Sequence, residues 1–286
     1  MSHTVEPESQ QVQGIARPVL RRGAIEQSSL SELLRLIHVE EGITPLTDSQ
    51  PVSLCQVRAG ATLFHAGARA ETVYFVRVGT FKVFTTAEDG YEQVVGFAER
   101  AEMLGFDALG TGRHPTSAVA LEDAWIFSLR VLDLFALCHA VPALNRALHQ
   151  ASSRQLARCS ELSDVMAAVA AEVRLARFLV HLAGHMQAFG QSPRRFVLRM
   201  TRRDLASHLG VAHETVSRAF SALAQWGFLR VSGREVEILD AEHLRALARC
   251  TRGLLAEPAA RHRSPRRPFR AAVGQRVSKA GQALSA

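Results

Sequence analysis

The chain has 286 residues and a formal net charge of +7, and it has no apolar run near the roughly 18 residues that span a membrane. This length accommodates two domains, each with its own core. The four cysteines include no Cys-x-x-Cys pair and the N-terminus lacks a secretory pattern, so we expect a cytoplasmic protein with reduced thiols. No HExxH, GxSxG or Walker-type loop occurs, and we predict no enzymatic activity.

The N-terminal half of the chain is predicted to be rich in β-structure. Residues 1–30 are expected to be a flexible segment and residues 31–140 a folded domain. Between residues 55 and 130 there is no helical period, and short runs of Val, Phe, Tyr and Thr are separated by glycines: Gly60, Gly67, Gly79, Gly90, Gly96 and Gly105. Short strands with frequent turns are typical of a β-roll or barrel.

A long helix is predicted next, over residues 141–170, with a second helix after it. The segment is rich in Ala, Leu, Arg and Glu, and Pro142 is the only helix breaker up to residue 182. Spacings of three and four, typical of the seam of a helix pair, connect Leu148, Ala151, Gln155, Arg158, Leu162, Val165 and Val169. We predict dimerisation through Leu148, Leu162, Val165 and Val169. The polar centre of the seam leaves open a helix that packs on its own roll.

Residues 171–245 are predicted to form a winged helix-turn-helix, with its helix pair in residues 201–229. Thr201 is a good N-cap, and Gly210 allows a sharp exit from the first helix. The second helix begins near Ala212 and directs four apolar residues to the core: Val216, Ala219, Phe220 and Leu223. The following sequence FLRVSGREVEILD alternates about Ser232–Gly233, as a β-hairpin wing does.

The outer face of the second predicted helix can read DNA bases. Glu214, Ser217 and Arg218 are related by i, i+3 and i+4, so they lie side by side. A guanidinium matches guanine O6 and N7, a carboxylate accepts from cytosine N4, and a hydroxyl can do either. The alternative is a solvated ion pair between Glu214 and Arg218.

The C-terminal residues 246–286 are predicted to contain the end of a helix and a disordered basic tail. Residues 257–286 hold seven Lys or Arg against one Glu, which is +6 of the net +7. The tail can attract DNA phosphates or simply aid solubility.

Over about residues 30–245 the chain resembles the CRP/FNR family of bacterial transcription regulators, in its FNR branch. The family's Glu-Thr-x-x-Arg core occurs here as Glu214, Thr215, Val216, Ser217 and Arg218. The resemblance implies an α+β fold with a cyclic-nucleotide-binding-type β-roll, a dimerisation helix and a winged helix-turn-helix. It also implies a homodimer that binds a TTGAT-like palindrome.

The resemblance also suggests further roles for individual residues. It implies phosphate contacts by Thr201, Arg202 and Thr215, and it places His213 where a side chain points at DNA. The loop from Glu88 to Gln93 matches a region by which FNR-type activators contact RNA polymerase.

Cofactors of the family are not expected here, with one exception. His114, Pro115, Thr116 and Ser117 occupy the place of the Arg-Ser pair that binds cyclic AMP, although Arg113 lies near in the sequence and Glu102 could meet a ribose. The scattered cysteines, Cys55, Cys138, Cys159 and Cys250, lack the spacing of an iron-sulfur site. His181 and His185 share a helix face, but no further metal ligand is evident. Haem remains open, so the alternatives are a haem or gas sensor and a signal-independent DNA-binding repressor.

Overall fold

The computed structural model describes residues 22–39, 43–167 and 170–250. The described residues form a β-roll, a long helix and a helical C-terminal domain with a small sheet, as the α+β prediction required. None of the helices in these ranges is long and apolar enough to cross a membrane. The predicted basic tail lies outside the described residues.

Two antiparallel sheets build the β-roll. The strands are β1 (Arg22–Ser29), β2 (Pro51–Val57), β3 (Thr62–Phe64), β4 (Thr72–Val78), β5 (Phe81–Thr86), β6 (Glu92–Ala98), β7 (Met103–Leu104), β8 (Ser117–Ala120) and β9 (Ala124–Arg130). One sheet has the order β1-β2-β9-β4-β7 and the other the order β3-β8-β5-β6. Strand β6 is therefore an edge strand of the second sheet.

Residues 22–29 differ from the prediction of a flexible segment ending at residue 30. They form strand β1, which pairs antiparallel with β2 from Arg22 opposite Val57 to Ser29 opposite Pro51. The pairing depends on a partner more than 20 residues away along the chain, which local composition does not reveal. Ser29 then caps the next helix by accepting a hydrogen bond from the Glu32 amide.

Short helices close one side of the roll: α1 (Leu30–Leu36), α2 (Pro45–Ser49) and α3 (Val131–Ala140). Phe75 and Phe127 lie beneath them, at 1% exposure or less, and pack with leucines of α1 and α3. Full burial of each such side chain stabilises the fold by about 1.5–3 kcal/mol. A second core between the sheets contains Phe81 and Ile126.

The first turns of helix α4 (Pro142–Ala167) pack on the core that contains Phe75 and Phe127. Leu144 and Leu148 are buried with α1, α3 and the roll strands, and Leu148 is only 7% exposed. Leu148 is therefore misassigned as a seam residue, because its own roll covers it. Here the alternative of a helix packed on its own roll holds for the first two turns.

The C-terminal domain contains α5 (Ala171–Ala188), β10 (Arg195–Val197), α6 (Arg202–Leu209), α7 (His213–Gln225), β11 (Leu229–Ser232), β12 (Glu235–Ile238) and α8 (Ala241–Ala248). Strands β11 and β12 form the expected hairpin, with Gly233 and Arg234 as its loop, one residue later than predicted. Strand β10 adds an unpredicted third strand beside β12. Helix α8 continues past the expected boundary at residue 245 and buries Leu244 and Leu247 in the domain core.

Candidate nucleic-acid interface

Helices α6 and α7 form the helix-turn-helix. The Thr201 hydroxyl accepts from the Asp204 amide at 3.1 Å, and the Asp204 carboxylate accepts from the Thr201 amide at 2.9 Å. This reciprocal capping box stabilises the start of α6 by about 1 kcal/mol. Gly210 ends α6 in the left-handed conformation, at φ 62° and ψ 42°. A side chain there would be strained, so the sharp turn depends on glycine.

Helix α7 separates a buried face from an exposed one. Its buried residues are those predicted from the spacing: Val216, Ala219, Phe220 and Leu223. His213, Glu214, Ser217 and Arg218 are exposed. No ion pair joins Glu214 to Arg218 among the described residues, so this face presents a free carboxylate and a free guanidinium to solvent. Ala212, the N-cap, provides no side-chain hydrogen bond to the first turn.

Part of the arginine charge of this domain is already paired. Arg195 contacts Glu235 at 2.5 Å and Arg230 contacts Glu237 at 2.6 Å, both within the small sheet. Arg203 and Arg218 are exposed and have no ion-pair partner in the described part of the chain. On α6 and α7 themselves, the cations still available for a polyanion are therefore Arg203 and Arg218.

Arg202, predicted to bind a phosphate, is instead turned inward. Its guanidinium carbon lies 3.4 Å from the centroid of the Phe220 ring, and Nη2 donates to the Gly233 carbonyl at 3.3 Å. Nη1 is buried with no hydrogen-bond partner among the described residues, and burial lowers the pKa of the guanidinium. In this arrangement Arg202 connects the wing to α6 and α7 through its contacts with Phe220 and Gly233. Its Nη1 is not available to solvent as a donor.

The other two predicted phosphate contacts lie closer to solvent. The exposed Thr201 hydroxyl donates to the Asp204 carboxylate at 2.6 Å while it caps α6. Thr215 is half-buried in the first turn of α7.

The stretch of the roll that occupies the place of the family's Arg-Ser pair is tightly packed by side chains of the roll itself. His114 is 4% exposed, and its ring stacks on Phe64 with the centroids 3.9 Å apart. Burial lowers the pKa of His114, and the nearby Asp107 carboxylate partly opposes this effect. The Ser117 hydroxyl accepts from the Ala66 amide at 2.9 Å.

The side chains of Arg113 and Glu102 are also engaged within the protein. Arg113 Nη1 donates to the Gly67 carbonyl at 2.8 Å. The Glu102 carboxylate accepts from the Glu99 amide at 3.0 Å, and its other oxygen lies 3.7 Å from His185. These residues do not fit a cyclic phosphate, because none of those described in this region directs a guanidinium inward to neutralise it.

The described cysteines lie on three different elements or their ends: Cys55 in β2, Cys138 in α3 and Cys250 after α8. Burial raises the pKa of the Cys138 thiol, which makes it a poor nucleophile. Within the described ranges, no three His, Cys, Asp or Glu side chains are grouped so as to hold a metal ion.

Among the described side chains of α4, Leu156 is an exposed apolar residue that the seam prediction did not include. Leu156 is 71% exposed, whereas Leu148 is buried. Leu156 lies eight residues, about two helical turns, after Leu148. The sequence pattern did not single it out, because mostly polar residues separate the two leucines. Of the other predicted seam residues, Leu162 and Val165 have side chains outside the description, and Val169 lies outside the described residues.

Comparisons with known proteins agree with this geometry. The family profile described as a Crp-like helix-turn-helix domain matches residues 173–247, and the cyclic nucleotide-binding domain profile matches residues 54–140. The fumarate and nitrate reduction regulatory protein of Salmonella typhimurium is 35% identical over 198 residues, which are 69% of this chain and 79% of that one. The transcriptional regulatory protein btr of Bordetella pertussis is 34% identical over 67% of this chain and 79% of its own.

Solved structures share the fold. FixK2 from Bradyrhizobium japonicum superposes with a TM-score of 0.60 at 23% identity, over 70% of this chain and 98% of that chain. A CooA mutant from Carboxydothermus hydrogenoformans gives 0.59 at 18% identity, over 79% and 98% of the two chains. The two domains, the exposed face of the helix-turn-helix and these relatives together show the family of the chain. It belongs to the CRP/FNR family of DNA-binding transcription regulators, which are not enzymes.

Proposed function

We propose that this regulator binds a palindromic TTGAT-like site as a homodimer and reads each half-site with α7. The observation that carries the proposal is the exposed group of Glu214, Ser217 and Arg218, whose charged members have no ion-pair partner among the described residues. Arg218 can bind a guanine in the major groove through both O6 and N7, and Glu214 can accept from a cytosine. His213, exposed at the start of the same helix, adds a contact to an adjacent base.

Phosphate contacts flank this reading face. Thr201 and Thr215 contribute hydroxyls, and Arg203 replaces Arg202 as the cation, because Arg203 is exposed while Arg202 packs on Phe220. The first amides of α7 are left without a side-chain cap by Ala212, and free amides at a helix start favour phosphate. Such contacts fix the register of the protein on DNA without reading sequence.

Dimerisation is proposed to use α4 beyond its first turns. Leu156 is largely exposed on a 26-residue helix, and a partner helix would remove it from water. The predicted seam continues toward Leu162, Val165 and Val169. Two reading helices related by a two-fold axis match a palindromic site.

We further propose that a signal at the roll controls DNA binding and that the regulator contacts RNA polymerase. The hairpin between β5 and β6 carries the Glu88–Gln93 segment and exposes Tyr91. The exposed tip of this hairpin, beside the helix-turn-helix, can contact a protein bound to adjacent DNA. This supports a role in activation.

The proposal is tested by titrating the full chain against a TTGAT palindrome, a single half-site and a scrambled duplex. We expect the palindrome to bind about 10³-fold or more tighter than the scrambled duplex, with a steep decrease as salt rises. Sedimentation should show two chains per palindrome. Equal affinity for all three duplexes, or one chain bound per palindrome, would contradict the proposal.

A further inference from the structure

A buried serine of the helix-turn-helix contacts the edge of the β-roll. Ser207, on α6, is 6% exposed. Its hydroxyl accepts from the Val94 amide at 2.8 Å and donates to the Glu92 carbonyl at 2.8 Å. Its backbone carbonyl accepts from Gln93 Nε2, also at 2.8 Å. One residue of α6 thus joins three consecutive residues of strand β6.

The chemistry of this contact follows from the position of β6 in its sheet. An edge strand has an outer row of amides and carbonyls with no neighbouring strand to pair them. A hydroxyl can donate and accept at once, so Ser207 satisfies the outward groups of both Val94 and Glu92. An alanine at this position would leave two buried backbone groups without these partners.

Two further contacts flank the serine. Lys82, on β5, lies 2.6 Å from Glu92 and 3.2 Å from Asp204 of α6, with side chains of Lys82 and Asp204 only 12% and 13% exposed. On the other side the His208 ring packs edge-on against Phe97 of β6 and Phe178 of α5, with centroids 5.3 and 5.8 Å away. The contact therefore combines polar, ionic and aromatic components along one face of α6.

This contact leaves the DNA-reading face free. Asp204, Ser207 and His208 face the roll, whereas Glu214 and Arg218 of α7 are exposed to solvent. The contact thus holds the helix-turn-helix without covering the residues proposed to read bases.

We propose that Ser207 is a positioning residue, which with Gln93 and Lys82 fixes α6 to the edge of the roll and so sets the orientation of the two reading helices in a dimer. This inference rests on the proposed binding of a homodimer to a palindrome. When the helix-turn-helix of one protomer is bound to its half-site, that of the other protomer binds the second half-site intramolecularly. The effective concentration of the second helix-turn-helix at that half-site is highest when it is held in the matching orientation. Loosening the contact lowers that concentration and leaves the first half-site contact unchanged.

The test compares full-length Ser207→Ala and Gln93→Ala with wild type on a palindrome and on a single half-site. Gln93→Ala attacks the contact from the roll, so it remains informative if Ser207→Ala is poorly folded. Ser53→Ala, at an exposed position of β2, is the matched control. We expect each contact variant to lose about tenfold in affinity for the palindrome and less than about twofold for the half-site. The control should equal wild type on both.

A second measurement reports the contact directly. Hydrogen exchange at the Val94 amide should be faster in Ser207→Ala than in wild type, because that amide loses its acceptor. Unchanged palindrome affinity in both variants, or equal losses on palindrome and half-site, would overturn the positioning role. A wild-type protein with no preference for the palindrome over the half-site would instead overturn the proposed function on which this inference rests.

Discussion

The guanidinium of Arg202 lies 3.4 Å from the centre of the Phe220 ring, so an arginine of α6 packs on the core-facing side of α7. The same side chain donates to the Gly233 carbonyl at the wing turn. Three elements of the DNA-binding domain, α6, α7 and the wing, thus meet at one side chain. A cation over an aromatic ring contributes about 2 kcal/mol when it is desolvated.

Replacing Arg202 should therefore reduce stability. We expect Arg202→Ala to lower the free energy of unfolding by about 1–3 kcal/mol, through the lost ring contact and the lost packing of its stem. Arg203→Ala, at the exposed neighbouring position, should change it by less than about 0.5 kcal/mol. Urea denaturation measures both. A larger loss for Arg203→Ala than for Arg202→Ala would show that Arg202 does not connect these elements.

Dimerisation should depend on Leu156. In Leu156→Glu, two like charges would face each other across the proposed helix pair. We therefore expect the dissociation constant of the dimer to increase about tenfold or more. Gln150→Glu, at another exposed position of α4, adds the same charge and is the control. Sedimentation equilibrium measures both dimer constants. If the two variants have equal dimer constants, the seam does not include Leu156.

The helix-turn-helix could be predicted from sequence because its determinants are local. Gly210, the Thr201 cap and the apolar spacing of α7 lie within 25 residues, and each has one physical interpretation. The predicted exposure of Glu214, Ser217 and Arg218 follows from the same helical period.

The orientation of Arg202 and the seam register depended on distant partners. Whether Arg202 faces DNA or Phe220 is decided by the wing, 31 residues away along the chain. Leu148 fits a helix seam as well as it fits a roll core, and only the position of the roll decides between them. Ser207 has no sequence signal, because its partners Glu92 and Val94 lie 115 and 113 residues away.

Acid should weaken the fold through His208. Burial lowers its pKa from 6.5 to about 4, and the nearby His181 adds to this decrease. Above pH 6.5 the ring is neutral in both folded and unfolded chains, so it contributes no pH dependence. As pH falls from 6.5 toward 4 the unfolded chain takes up the proton first, and stability falls by up to about 1.4 kcal/mol per pH unit. We expect His208→Gln to flatten this part of a urea-denaturation profile against pH; an unchanged slope would mean that His208 is not buried as a neutral ring.

Specificity should depend on Arg218 more than on Arg203. If Arg218 holds a guanine, Arg218→Ala should lose about 1–3 kcal/mol on the palindrome and discriminate less against a change of that one base pair. Its affinity for random DNA should change less. Arg203→Ala removes a proposed phosphate contact, so it should weaken palindromic and random duplexes alike and reduce the slope of log affinity against log salt by about one. Titration of both variants on the palindrome, a single-base variant and random duplex, at several salt concentrations, separates these patterns. Equal losses for Arg218→Ala on all three duplexes would show that α7 does not read bases through this arginine.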